Sequence, residues 1–183
     1  MRKKKMMNYV LIAGISLSAM QLTGCASNAS SELMTYSYKG SQKPANVELI
    51  KNINVSQVVG GHETNPLWAS KINNENFKVA LEQSLKNANL YNEVNKGNFQ
   101  LNANLVKLEQ PLLGFNLTVT CQVHYKLQNV KSNSIIYDKD ITTSYTAKLS
   151  DSFVAIERLK MANEGAARAN IQKLIDDLYR LKK

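Results

Sequence analysis

Cysteine is almost absent from this chain. Its 183 residues hold 2, at positions 25 and 121, which excludes a disulfide-rich scaffold. With 3 prolines and 8 glycines the chain is neither collagen-like nor broadly low in complexity. Two histidines, His62 and His124, and one cysteine beyond position 25 are too few for a soft-metal site of usual composition. No G-x-x-x-x-G-K, G-x-G-x-x-G or G-x-S-x-G run is present, which removes the phosphate cradles and the nucleophile elbow those glycines build. No internal repeat is visible. The apolar run from Met6 to Met20 is about 15 residues long, short of the roughly 20 that span a bilayer.

What is present begins with an address. Arg2-Lys3-Lys4-Lys5 precede the apolar run, and small residues follow it, the layout of a secretory signal. Leu22-Thr23-Gly24-Cys25 then resembles the lipobox of bacterial lipoproteins. The resemblance implies that the Cys25 thiol takes a diacylglycerol, that a peptidase cuts before it, and that the new amine is acylated, palmitate being the typical chain. Residues 1–24 are then a signal peptide. Several chains together anchor firmly, because each buried CH₂ contributes about 0.8 kcal/mol and a single chain is marginal. Ala26, not Asp, follows Cys25, which by the usual sorting rule directs a lipoprotein to the outer membrane, with the domain on its periplasmic side.

The address also changes the charge. The whole chain has 23 basic and 14 acidic residues, a formal +9. Residues 1–24 hold four of the bases and no acid, so the chain from Cys25 onward is +5, with 19 bases against 14 acids. That is the charge of a solvated surface and not a nucleic-acid footprint.

Residues 25–46 are rich in Ser and small polar residues and read as a lipidated Cys and a flexible tether, in which Met34, Tyr36 and Tyr38 alternate like a short edge strand. Residues 47–183 read as a single domain. Val47, Leu49, Ile53 and Val55 alternate with polar residues, a strand that Val58-Val59 extend. Phe77, Ala80, Leu81, Ser84, Leu85 and Ala88 form a helical stripe over 74–90, capped by Asn73 or Asn74. A second strand runs from Phe99, with its phase slipping at 106–108 as in a bulge. Odd positions from Phe115 to Leu127 and from Ile135 to Leu149 predict a one-faced antiparallel hairpin. Residues 152–181 predict a helix with an Ala-rich stripe, capped by Ser150 or Asp151, with Glu164–Arg168 and Asp176–Arg180 as i,i+4 pairs on its wet face. The order β-α-β-β-β-α predicts an α+β two-layer sandwich: a mainly antiparallel sheet with two helices on one face.

Catalytic chemistry is sparse. Cys121 and His124 fall on opposite faces of their strand, so Cys121 reads as a buried inert thiol. His124 joins Asn116, Thr118, Thr120, Gln122 and Lys126 on the polar sheet face, with Thr142, Ser144, Thr146 and Lys148 beside them. These groups read as a solvated sheet face, with a glycan or partner surface as the alternative; among the loops, Gly60-Gly61-His62-Glu63, continuing to Trp68, is the candidate ligand or partner site. Its glycines suit an anion nest or a turn into the helix, and His62 is the one candidate base. No catalytic residue, metal or cofactor is assigned.

Four segments resemble a family of small, largely uncharacterised proteobacterial lipoproteins: Gly60-Gly61-His62-Glu63-Thr64-Asn65-Pro66, Phe77 to Leu85, Gln110-Pro111 to Tyr125, and Arg158 through Ala162-Asn163-Glu164 to Asn170-Ile171. Some members carry an acyltransferase label, but the hexapeptide repeat of a left-handed β-helix acyltransferase is absent. The layout is also similar to the lipopolysaccharide-assembly lipoprotein and to auxiliary lipoproteins of envelope transporters. Those likenesses are of fold and address, from which function does not follow. The anchor, the tether and the poor catalytic inventory point to an outer-membrane-anchored, non-enzymatic scaffold or accessory subunit, with the membrane and an envelope protein as partners and no nucleic acid. A lipid-, glycan- or lipopolysaccharide-binding module is the alternative, and an acyl or sugar transferase a third reading.

Overall fold

The computed structural model describes residues 27–41, 43–65 and 70–182. Residues 1–24, where a signal peptide is expected, and Cys25, Ala26 and Trp68 lie outside the described residues.

Four strands form one sheet in the order β1-β2-β3-β4: β1 (Ile53–Val59), β2 (Phe99–Glu109), β3 (Leu117–Asn129) and β4 (Ile135–Ala147). β1 and β2 are parallel, joined by the crossover helix α2 (Asn74–Asn87), and the other pairings are antiparallel. The long helix α3 (Ala155–Arg180) packs on β3 and β4, and α2 packs on β1. This is the α+β sandwich that the pattern predicts. β3 obeys the period of two throughout: Leu117, Val119, Cys121, Val123, Tyr125 and Leu127 are buried, and each residue between them is at least partly exposed. On α2 the residues Phe77, Ala80, Leu81, Ser84 and Leu85 are buried, and Asn73 Oδ1 caps the helix by accepting Asn76 N at 2.9 Å. The phase slip in β2 is a bulge between Leu105 and Lys107.

Several boundaries differ from the sequence reading. Val47–Leu49 form a 3₁₀ turn instead of strand, because Asn46 Oδ1 accepts Glu48 N at 3.1 Å and caps it. Phe115 stands outside β3 and is exposed. Ile135 and Tyr145 on the edge strand β4 are only partly covered. α3 starts at Ala155, not near Ser152. Asp151 is not its cap, since its carboxylate instead accepts Lys148 N at 2.8 Å and closes a turn before the helix.

The largest difference concerns the expected tether. Residues 27–38 lie against α2 and α3 on the side away from the sheet. They include the short helix α1 (Ser31–Met34), which touches both long helices. Ala29 and Met34 are fully buried, Tyr36 N donates to Ser84 Oγ at 2.8 Å, and Tyr38 stacks on Tyr179 with ring centroids 4.4 Å apart. The segment therefore docks on helices, not on a sheet edge. Two buried apolar side chains and a series of backbone hydrogen bonds offset the entropy of ordering it. Glu164 and Arg168, expected as a mutual pair in water, both turn to this segment: Glu164 Oε1 accepts Ser30 N at 2.8 Å and Arg168 Nη1 donates to Leu33 O at 2.6 Å.

Candidate functional site

β1, β2 and β4 end, β3 begins, and both long helices begin at the same end of the sheet. The loop residues 60–65, 70–73, 110–116 and 148–154 gather there, and residues 27–30 join them.

The glycine pair is explained by geometry. Gly60 has φ +80°, a left-handed conformation, and a Cβ on it would overlap the carbonyl of Leu105. A Cβ on Gly61 would stand 2.7 Å from Asn74 N, where the loop crosses the start of α2. The loop is thus a turn that Asn74 Oδ1 holds by accepting Gly61 N at 2.7 Å. His62 N donates to Ile72 O at 2.9 Å, while the imidazole is exposed and has no hydrogen-bond partner among the described residues. Among the described residues no group orients it as a triad or dyad would.

Behind this turn lies a polar network that the loop motif alone does not reveal. Lys71 Nζ donates to Gln110 Oε1 at 2.6 Å. Gln110 Nε2 donates to Asn163 Oδ1 and to Ser70 O, both at 2.8 Å. Asn163, fully buried in α3, donates to the same Ser70 carbonyl at 2.9 Å. Ser70 Oγ reaches Ser27 O at 2.8 Å, and Asn28 bridges Thr64 N and Glu63 Oε2, each at 2.8 Å. Four segments far apart in sequence are joined in this way. The signals that could have found it are Asn163 inside an Ala stripe and the Gln110-Pro111 corner.

A cleft of about 310 Å³ opens beside the network, lined by Gly60, His62, Lys71, Leu105 and Lys107 among others. Its chemistry is a mixture of two cations, an imidazole and apolar walls. Among the described residues, no three His, Cys, Asp or Glu side chains come together as a metal site would require. Cys121 is fully buried, and burial pushes its thiol up to about 12, which removes the thiolate that nucleophilic chemistry needs. His124 is on the opposite, open sheet face, with Nδ1 2.8 Å from Asp140 and Nε2 3.2 Å from Asp138. There Thr118–Thr146 and Thr120–Ser144 also pair across strands at 2.8 Å. That face satisfies itself as a solvated sheet does.

The outermost part of the loop end is apolar. Leu112, Leu113 and Phe115 in one loop and Phe153 in the next are exposed. Buried Arg158 fixes these loops to each other: Nη1 donates to Ser152 O at 2.7 Å and Nη2 to Gly114 O at 3.4 Å. Arg158 therefore acts as a brace between the two loops.

No family model matches the chain, and neither does any curated protein. Solved structures do match. A candidate lipoprotein of Caulobacter crescentus CB15 superposes with a TM-score of 0.51 at 14% identity, over 71% of this chain and 89% of that one. Protein XCC0632 of Xanthomonas campestris, of family DUF330, gives 0.52 at 11% identity, over 74% and 90%. At such identities the likeness is one of fold. This α+β architecture is thus one that a bacterial candidate lipoprotein also adopts, and function does not follow from it.

Proposed function

We propose that this chain is a lipid-anchored lipoprotein of the bacterial envelope that serves as a non-catalytic scaffold or accessory subunit for another envelope protein. The observation that carries the anchor is the run from Arg2 through the apolar segment to Leu22-Thr23-Gly24-Cys25. The fold shared with a candidate lipoprotein supports it. Ala26 after Cys25 favours the outer membrane. The non-catalytic role rests on the state of the two best candidates for chemistry: an unoriented, exposed His62 and a buried, protonated Cys121. The cleft beside His62 and Lys71 favours a second reading, a module that binds a lipid or glycan.

Crosslinking in intact cells, detergent extraction and mass spectrometry would test the role, with a Cys25→Ala strain as the unanchored control. A protein recovered in fixed ratio with wild type and lost in the control is the expected result. Recovery of lipid or lipopolysaccharide alone would favour the binding module. An activity abolished by His62→Ala in a folded variant would overturn the non-catalytic reading.

A further inference from the structure

We propose that the loop end of the domain is a bilayer-contacting face, with Leu112, Leu113, Phe115 and Phe153 entering the lipid interface beside Cys25. The inference rests on the reading of Cys25 as the lipid attachment point.

Among the described residues, the four most exposed large apolar side chains are Leu112 at 98%, Leu113 at 91%, Phe153 at 86% and Phe115 at 79%. All four sit at one end of the molecule, on the two loops that Arg158 braces. Scattered surface apolar residues need no explanation, but a group of this kind marks an interaction site. The loops hold the side chains out through built turns: Leu149 N donates to Asn116 Oδ1 at 3.2 Å, Lys148 N to Asp151 Oδ2 at 2.8 Å, and Val154 N to Ser152 Oγ at 3.1 Å.

The occupant follows from where the described chain begins. Ser27 is held at this same end, with Lys160 Nζ donating to its Oγ at 2.9 Å and Ser70 Oγ to its carbonyl at 2.8 Å. Lys160 stands two residues beyond Arg158 on α3. Cys25 precedes Ser27 by two residues, a reach of about 7 Å at most. Because residues 27–38 dock on the helices instead of forming a tether, the acyl chains leave from the apolar end itself. That end meets the membrane before any other part of the domain. α3, 26 residues and about 39 Å long, then runs away from the bilayer, with the β3–β4 loop at the far end.

The test uses the full chain extracted from membranes and reconstituted in vesicles of phosphatidylethanolamine and phosphatidylglycerol doped with a doxyl-labelled lipid. An environment-sensitive fluorophore is placed through Leu113→Cys, Phe153→Cys or, at the far end, Lys131→Cys. Native Cys121 is buried and stays unlabelled. The expected result is quenching about threefold or more stronger at 113 and 153 than at 131, as for side chains seated in the interfacial layer. Equal quenching at the three positions would overturn the proposal. The mass of the Cys25 peptide from the same preparation reports the anchor separately. An unacylated peptide overturns the anchored reading, whereas quenching confined to 113 and 153 in that preparation would still support the bilayer face.

Discussion

Glu164 Oε1 accepts the backbone N–H of Ser30 at 2.8 Å, across 134 residues of chain. Glu164 is 3% exposed, on a helix face that would otherwise be wet. The contact links the segment nearest the proposed anchor to the middle of α3. Burial raises the Glu164 carboxyl above its ordinary range, and the Ser30 N–H, Lys160 and Arg168 only partly oppose that.

A first prediction follows from the bond. Glu164→Ala leaves a partly buried N–H without its acceptor, which costs about 1 kcal/mol and up to about 3 if water does not replace the carboxylate. Thermal unfolding should show the loss, and limited proteolysis should cut first within residues 27–38. Glu164→Gln keeps an acceptor oxygen and should lose less. The pH dependence has a definite sign. A carboxyl whose folded pKa is raised binds its proton more readily in the folded state, so the fold gains stability as pH falls through that folded pKa. Wild type should therefore be somewhat favoured by mild acidification relative to Glu164→Gln. A Gln variant with an identical pH profile would show that Glu164 does not titrate in this way.

Asp177 has the opposite sign. Burial works against its charge, but Lys139 Nζ at 2.8 Å, Tyr137 Oη at 2.9 Å and Lys173 Nζ at 3.6 Å outweigh it and hold the pKa below the ordinary value. Its stabilisation is present above the unfolded carboxyl pKa of about 3.9 and is lost as pH falls through the lower folded value. Asp177→Asn should cost about 1–2 kcal/mol at neutral pH, the low end of what hydrogen bonds to a charged group contribute, because its lysine partners are half-exposed and screened. The gap from wild type should close in acid. Denaturant midpoints at pH 7 and pH 3 would check both statements, and a gap that widened in acid would refute them.

Period and spacing made β3 and α2 legible, because each buries one face along its whole length and each step repeats the same choice. The Gly60-Gly61 turn was legible too, since positive φ and close approach at Asn74 are local demands. The docked segment was not. Ala29 and Met34 are buried within a stretch made mostly of Ser, Asn, Glu and Thr, and what holds Ser27, Asn28 and Ser30 is hydrogen bonding to Ser70, Thr64 and the Glu164 carboxylate, 36 to 134 residues away. No periodicity carries that information. The same holds for Lys71, Gln110 and Asn163, which meet only because two loops coincide against α3. Phe115 was misread because it continues the parity of β3, while the Gly114 turn sets it outside the strand.

Cys121 supplies a chemical prediction. A fully buried thiol pushed up to about 12 has essentially no thiolate at neutral pH. Iodoacetamide at pH 8 should leave it unmodified in the native protein and alkylate it in denaturant, as read by intact mass. Native alkylation at a rate like that of a free thiol would mean that β3 opens locally far more often than its position between β2 and β4 implies.

Gly165 reverses a common rule. Glycine inside a helix is usually worse than alanine by about 0.5–1 kcal/mol, so Gly→Ala in α3 would ordinarily stabilise. Here a Cβ would overlap the ring of Tyr145 on β4 at its near edge, not at a flexible tip. The Arg168 guanidinium, on the same helix, lies 5.9 Å from the ring centroid and restricts the ring on that side. Displacing it forces an off-rotamer side chain or a shift of the helix, at about 1–3 kcal/mol, which exceeds the propensity gain. Gly165→Ala should therefore destabilise the protein. In a Tyr145→Ala background the obstacle is gone and the same substitution should stabilise by up to about 1 kcal/mol. A double-mutant cycle from urea unfolding measures the coupling directly. The sign change between the two backgrounds is the diagnostic result; a Gly165→Ala that stabilises equally in both would place Tyr145 away from the helix.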